Sequence, residues 1–345
     1  MTGHVRHRAA LAGACLVIAS VHTSPAAAAP GCAALFTPTE NAAFSRYAAG
    51  RVTAAVYDTR TGCWYHLNRG VRISTASVIK AEVLGAVLLK AQDGRRQLTE
   101  RERGLIGPMI SYSSDTAASA LYGHIGGVAG MYAYDRRAGI SSTTHDTRYG
   151  ATSTTAQDRT TVALGLLHGR GPLGPAARAE AWRYLGNVHP TQRWGLTAGN
   201  RIGWSAALKN GFYPGSGGRW RVGTTGFVRR VGTYDGYAIT VMTTGVADQA
   251  TGMRWVEAVS ARVADVLTPG RIARRPVDRA WCVVPRPGES WRQVAARLGI
   301  APRWPDVRLV SGGNPVPLSR GRACAPGLRE SGWRATDSAS ASDHP

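Results

Sequence analysis

Ser77-Val78-Ile79-Lys80 runs directly into Val83, Leu84, Ala86, Val87 and Leu88, an apolar set with helical spacing. This stretch constrains the chain more than any other, because it sets a serine and a lysine three residues apart at the start of a buried helix. Residues three apart on a helix share a face. The spacing therefore predicts the Lys80 amine beside the Ser77 hydroxyl, in the first turn. A serine hydroxyl is a poor nucleophile at neutral pH. A desolvated lysine can take its proton, and a helix N-terminus favours the negative charge that results. Taken alone, a serine at this position also reads as a helix cap.

Lysine usage points to the same residue. Of 42 basic side chains only Lys80, Lys90 and Lys209 are lysine, and the rest are arginine. Where lysine survives such a bias, the chemistry can need an amine able to lose its proton, which arginine cannot supply. Lys80 and Lys209 fall in motifs, whereas Lys90 reads as a surface residue. The 345 residues suffice for one large domain and a small one. The formal charge is +21, or +19 without residues 1–29, which carry Arg6 and Arg8 and no acid. That surplus fits a polyanionic neighbour such as an anionic cell wall, and equally the arginine bias itself. There is no basic run or nucleic-acid motif, so no nucleic-acid partner is expected.

Residues 1–29 read as a signal peptide: Arg6 and Arg8, an apolar Ala9–Ser20, and Ala27-Ala28-Ala29 before Pro30. The apolar part is too short to span a bilayer, and nothing later qualifies. Cys15 follows Leu11-Ala12-Gly13-Ala14, a loose likeness to a lipoprotein signal with the leucine one place too far away. Removal of the segment leaves Cys32, Cys63, Cys282 and Cys324. In an exported chain an even number predicts disulfides, and proximity favours Cys32–Cys63 and Cys282–Cys324 among three pairings. No two cysteines have zinc-ligand spacing.

Residues 33–50 read as a first helix. Arg51–Asp58 and Cys63–Asn68 read as a hairpin joined by Thr59–Gly62. After Pro108 comes Met109-Ile110-Ser111-Tyr112-Ser113-Ser114-Asp115-Thr116-Ala117-Ala118. Ala207-Leu208-Lys209-Asn210-Gly211-Phe212 reads as the end of a short strand. Trp220–Val231 and Tyr237–Thr244 read as strands joined around Asp235-Gly236. Met253–Leu267 has helical periodicity.

With these segments in order, residues 33–268 resemble the class A β-lactamase and D-Ala-D-Ala peptidase superfamily of active-site serine hydrolases, in a trimmed, secreted form. Ser77/Lys80 match Ser-x-x-Lys, Ser113-Ser114-Asp115 match a Ser-Asp-Asn-like element, and Lys209-Asn210-Gly211 match a Lys-Thr-Gly-like element. The resemblance implies an α/β (α+β) fold, an antiparallel sheet flanked by helices. It implies Ser77 as nucleophile, Lys80 as its base, and Ser113 as a proton relay helped by Lys209. It implies an oxyanion hole from the Ser77 and Phe212 N–H groups, with Asp115, Asn210 and Gly211 contacting substrate. A β-lactam or a D-alanyl peptidoglycan peptide is the expected substrate, with no metal or organic cofactor. A catalytically weak, wall-binding protein that keeps the cleft for recognition is the alternative.

Three departures bear on turnover. No glutamate occurs between Glu102 and Glu180, where the family's β-lactamases carry a deacylating one; the loop from Gly139 to Thr154 holds His145 and Asp146 instead. The segment between Lys80 and Ser113 is shorter than in typical family β-lactamases. Asp115 replaces the family's asparagine, and an ionised aspartate cannot donate a hydrogen bond but can pair with Lys80.

Residues 269–280 read as a basic, proline-containing linker. Trp281–Pro326 resembles a LysM module, a βααβ fold that binds wall glycan, through Pro287-Gly288-Glu289-Ser290 and the closing Asn314-Pro315 and Gly321…Pro326. A Cys282–Cys324 bridge would suit so small a core. Residues 327–345 read as a disordered tail.

Overall fold

Alternating apolar residues in residues 51–68 form the expected hairpin: β1 (Arg51–Asp58) and β2 (Cys63–Leu67) pair antiparallel, with Asp58 opposite Cys63. In the computed structural model the described residues are 51–268, Met1, parts of 32–44, and the backbone of five short strands beyond residue 281. Residues 231–235 join β6 (Trp220–Arg230) to β7 (Gly236–Val246), as Asp235-Gly236 predicts. β5 (Trp204–Pro214) is longer than the short strand expected and pairs with β6 along its whole length. The five strands form one antiparallel sheet in the order β2-β1-β7-β6-β5, leaving β5 at an edge.

The sheet is buried on both faces, and β6 shows how. Successive side chains of a strand point to opposite faces. Val222 and Thr224 lie against Gly252 and Gly195, on the side of the Gln249–Leu267 helix. Thr225 and Phe227 point the other way. The Thr225 hydroxyl donates to the Arg159 carbonyl, and Phe227 packs on His168 and Trp182. The Gln249–Leu267 helix confirms the periodicity of Met253–Leu267, and Phe44 meets its Trp255 edge-on. Thr39, Glu40 and Phe44 are helical within the predicted first helix.

The Lys80–Asp93 helix is buried almost all round, including Val83, Leu84, Val87, Leu88 and Leu89. A helix apolar on every side belongs in the middle of a helical layer. Helices Glu100–Ser111, Asp115–His124, Gly127–Ala138, Ala156–Leu167 and Pro175–Gly186 surround it. Each fully buried Leu or Val contributes about 1.5–3 kcal/mol relative to exposure, which holds this helix in place more firmly than propensity does. Gly85 makes room for one neighbour: a Cβ there would lie 2.6 Å from the Tyr134 hydroxyl.

Caps fix the second piece of the site. Thr99 and Glu102 form a capping box at the start of Glu100–Ser111, and the Ser114 hydroxyl accepts from Ala117 N (3.3 Å) at the start of Asp115–His124. Only residues 112–114 join the two helices. The Tyr112 and Ser114 N–H groups both donate to the Pro108 carbonyl at 3.1 Å, and Ser113 adopts a left-handed φ of 62°.

By contacts the chain falls into two units, Met1–Ala33 and Ala34–Pro345. Cys32 and Cys63, expected as a pair, are each disulfide-bonded. Residues 1–29 lie outside the described residues apart from Met1. So does most of the LysM-like segment, including its predicted helices. Of its backbone, β8 (Cys282–Val283) and β11 (Ala323–Cys324) pair antiparallel with Cys282 opposite Cys324, the two cysteines expected to be joined.

Candidate active site

Three segments converge at one end of the buried helix. The first is a 3-10 turn, Ala76–Ile79, which leads into Lys80–Asp93. Ser77 therefore lies in a tighter turn than an α-helix provides, just ahead of the α-helical residues. Ala76, before it, has φ 47°. A non-glycine residue in this region costs on the order of 1–3 kcal/mol and persists where its surroundings impose it. Here the imposing neighbours are the Thr75 N–H, which donates to the Thr152 carbonyl at 2.9 Å, and the 3-10 turn Tyr149–Ala151 packed alongside.

The second segment is the 112–114 link, and the third is β5. Lys80 Nζ lies 3.2 Å from Ser113 Oγ, and Lys209 Nζ lies 3.1 Å from the same atom. Both lysines are buried, while Ser77 and Ser113 are half-buried. Lys80 also donates to the Ser113 carbonyl (2.5 Å) and to Asp115 Oδ1 (2.6 Å), and Lys209 to the Asn210 carbonyl (2.6 Å). Burial pushes the Lys80 amine below the ordinary lysine value, and Asp115 recovers part of that shift. Burial, reinforced by the charge of Lys80, holds Lys209 well below it. The arrangement puts one hydroxyl between two amines that part with protons more readily than a surface lysine.

Gly211 explains why β5 approaches so closely. A Cβ on it would sit 2.5 Å from Val78 N and 2.8 Å from Ser77 N, distances no side chain can occupy. Exposed aromatic rings belong to the same segments: Tyr112, tilted against His189, on the 112–114 link, and Phe212 and Tyr213 on β5.

Two side chains have internal partners that the sequence did not signal. The Asn210 amide, expected to contact substrate, is engaged within the protein. Its Nδ2 donates to the Gln192 carbonyl (2.6 Å) and the Trp194 carbonyl (3.2 Å), which uses both hydrogens and ties residues 192–194 to β5. His145, on the loop from Gly139 to Thr154, turns inward. It is buried, with Nε2 2.6 Å from Asp135 Oδ2 and 3.8 Å from Glu82 Oε1, while Glu82 pairs with Arg159. Glu82, Asp135 and His145 are close enough to share an ion. Burial pushes the Glu82 carboxyl up to about 8; Arg159 pulls against this and Asp135 adds to it. Asp146 instead accepts from the Arg148 N–H, and its carbonyl from the Tyr122 hydroxyl.

One residue of the site carried no sequence signal. Tyr149 leans over Lys80, its ring centroid 5.9 Å from the ammonium, and its hydroxyl donates to Asp115 Oδ1 at 2.9 Å. Burial, then the adjoining Asp115 carboxylate, raise its phenol, so it remains a donor. Asp115 is 81 % exposed in its side chain. Partial burial works to raise its carboxyl, but Lys80 and the Tyr149 hydroxyl outweigh this and keep it below the ordinary aspartate value.

No family model matches the chain. It is 28 % identical over 208 residues to proteins named "Putative lipoprotein LppW" from Mycobacterium tuberculosis and Mycobacterium bovis, covering 58 % of this chain and 65 % of theirs. The chain thus spans about two thirds of the length of these relatives. Among solved structures it resembles a β-lactamase from Xanthomonas campestris pv. campestris (TM-score 0.57, 19 % identity, 66 % of this chain and 95 % of the other). It also resembles an ancestral class A β-lactamase (0.56, 22 %, 66 % and 98 %) and PBP-A (0.56, 20 %, 65 % and 92 %). The fold of this chain is that of the class A β-lactamases and PBP-A.

Proposed function

We propose that the protein is an exported serine acyl-transfer enzyme that forms an acyl-enzyme on Ser77 with a β-lactam or a D-alanyl peptide. The observation that carries this reading is the single Ser113 hydroxyl held between two buried amines, 3.2 Å from Lys80 and 3.1 Å from Lys209. Lys80 takes the Ser77 proton as Oγ attacks the carbonyl, and Ser113 passes a proton to the leaving nitrogen. The Ser77 and Phe212 N–H groups receive the oxyanion, where one donor is worth on the order of 2.7–4 kcal/mol of barrier. Deacylation is slow, because the loop glutamate of the family's β-lactamases has no counterpart between Glu102 and Glu180 and His145 is held inside the protein. PBP-A, one of the similar folds, has a variant solved as an acyl-enzyme with penicillin G.

Mass spectrometry after incubation with a labelled penicillin tests the reading. The expected result is one adduct, on Ser77, absent from Ser77→Ala, with a burst followed by weak steady hydrolysis. Labelling of Ser77→Ala at an unchanged rate would overturn it. A wild type inert to every acylating probe would favour a second reading, a wall-binding protein that keeps the cleft for recognition. The Lys80–Asp115 ion pair motivates that alternative, since it opposes deprotonation of the lysine.

Export is read from residues 1–29 and agrees with the lipoprotein name of the relatives. The LysM-like segment is proposed to hold the enzyme on wall glycan, supported by the antiparallel pairing that sets Cys282 opposite Cys324. Full-length protein should sediment with insoluble peptidoglycan in moderate salt and be displaced by N-acetylglucosamine oligomers. Surface charge is screened within about 8 Å at physiological ionic strength. Retention lost in salt and indifferent to the oligomers would make the tail a basic appendage.

A further inference from the structure

Asp115 carries an unused acceptor at the mouth of the site. Its Oδ1 takes both internal donors, Lys80 Nζ at 2.6 Å and the Tyr149 hydroxyl at 2.9 Å. Its Oδ2 has no partner among the described residues, and the side chain is 81 % exposed. A carboxylate accepts and cannot donate. A carbonyl or carboxylate turned toward Oδ2 would meet only lone pairs, whereas an N–H group would find a charged acceptor.

We infer that Asp115 Oδ2 is a subsite for an ammonium or other N–H-rich cationic group on the substrate, next to the carbonyl that Ser77 attacks. The inference rests on the acyl-enzyme reading above and names the substrate class it serves, an amino-bearing acyl donor. The geometry sets the distance scale. Asp115 and Ser113 both touch Lys80 Nζ, so the subsite lies one side chain away from the relay hydroxyl. The titratable groups facing Asp115 come from three elements: the lysines Lys80 at the start of its helix and Lys209 on β5, and the uncharged Tyr149 phenol from its 3-10 turn. Both lysines are buried, whereas Oδ2 belongs to a side chain open to solvent, so the anion is the charge accessible to an incoming cation. The ring of Tyr149 beside Asp115 offers such a cation a second favourable surface. Asparagine at this position would supply an N–H donor and would prefer a carbonyl; aspartate reverses the preference.

The experiment uses three penicillins that share one nucleus and differ at the carbon next to the side-chain amide: a neutral phenylacetyl form, its α-amino form and its α-carboxyl form. Acylation rate constants at Ser77 are measured on the full chain and on Asp115→Asn. The wild type should react about fivefold faster with the amino form than with the neutral one, and about fivefold slower with the carboxyl form, the scale of an exposed ion pair. In Asp115→Asn the amino form should lose its lead and the carboxyl form its handicap, because asparagine supplies a donor and removes the negative charge. Because the readout is a ranking, a general change in Lys80 basicity does not imitate it. Equal rates in the wild type, or a ranking that survives Asp115→Asn, would overturn the subsite while leaving the acyl-enzyme intact. If none of the three labels Ser77, the acyl-enzyme reading fails by itself. The subsite is then decided by calorimetric Kd values for the same three compounds on Ser77→Ala, where tighter binding of the amino form sustains it and equal Kd values refute it.

Discussion

Gly211 lies so close to Ser77 that a methyl group on it would sit 2.8 Å from the Ser77 amide nitrogen. The edge strand and the 3-10 turn are therefore in backbone contact, and the position of Ser77 depends on the missing side chain. Gly211→Ala has to push the turn and β5 apart. A displacement of about 1 Å at a reacting centre costs on the order of 10²-fold in rate. The expected outcome is a loss of acylation of that order with the far-ultraviolet circular dichroism unchanged; wild-type acylation by the variant would refute the close approach.

The pH profile of acylation follows from the opposing influences on Lys80. Burial lowers its amine, and Asp115 raises it again. Removing the carboxylate leaves the lowering influence unopposed. Asp115→Asn should thus shift the rising limb of the rate against pH toward acid, because more Lys80 is neutral at a given pH. A shift toward alkali would mean that Lys80 is not the base.

Asn210 tests a different role. Its amide holds the carbonyls of Gln192 and Trp194 to β5. Asn210→Ala leaves these buried acceptors without that donor, at a cost of about 1–3 kcal/mol. A lower Tm is expected. An unchanged Tm with weakened substrate binding would restore the substrate-contacting role that the sequence suggested.

Stability should fall with alkali because of Glu82. Its carboxyl goes from 4.5 to about 8 on burial, so the folded chain binds more protons than the unfolded chain between those values. The stability this group contributes is full below 4.5 and is lost as pH rises toward and through 8. His145, lowered by burial, acts with the opposite sign at and below its ordinary value of 6.5, so the useful window lies above that. Lys80 and Lys209, lowered by burial, act with the opposite sign toward alkali, so the readout is a difference: between pH 6.5 and 8.5 the Tm of the wild type should fall relative to that of Glu82→Gln. Equal slopes would mean that Glu82 is ionised throughout.

Much of this fold was legible because its signals are local. Strand alternation and Asp235-Gly236 predicted the hairpins, and the run after Lys80 predicted the buried helix. The segments that bring Lys80, Ser113 and Lys209 together were legible because each is a short local motif and the resemblance supplied their order, although the motifs themselves lie far apart in the chain. Tyr149 and the Glu82–Asp135–His145–Arg159 cluster were not. Their partners come from segments tens of residues apart, and nothing in the periodicity of residues 139–154 indicates that His145 turns inward while Tyr149 turns toward Lys80. The hold of the Asn210 amide on the Gln192 and Trp194 carbonyls was illegible for a related reason. Its neighbour in sequence, Lys209, points to Ser113, while successive strand residues point to opposite faces.

The burial of two lysines has a practical side. The chain has three, and Lys80 and Lys209 are enclosed in the site. Apart from the chain's N-terminus, Lys90 is the one amine exposed to an acylating dye or an activated resin. It lies ten residues along the same helix from Lys80, about 15 Å at 1.5 Å per residue. Amine-coupling reagents should therefore attach to this side chain or to the N-terminus and leave the cleft open, tethering the protein for surface-based kinetics without an engineered handle.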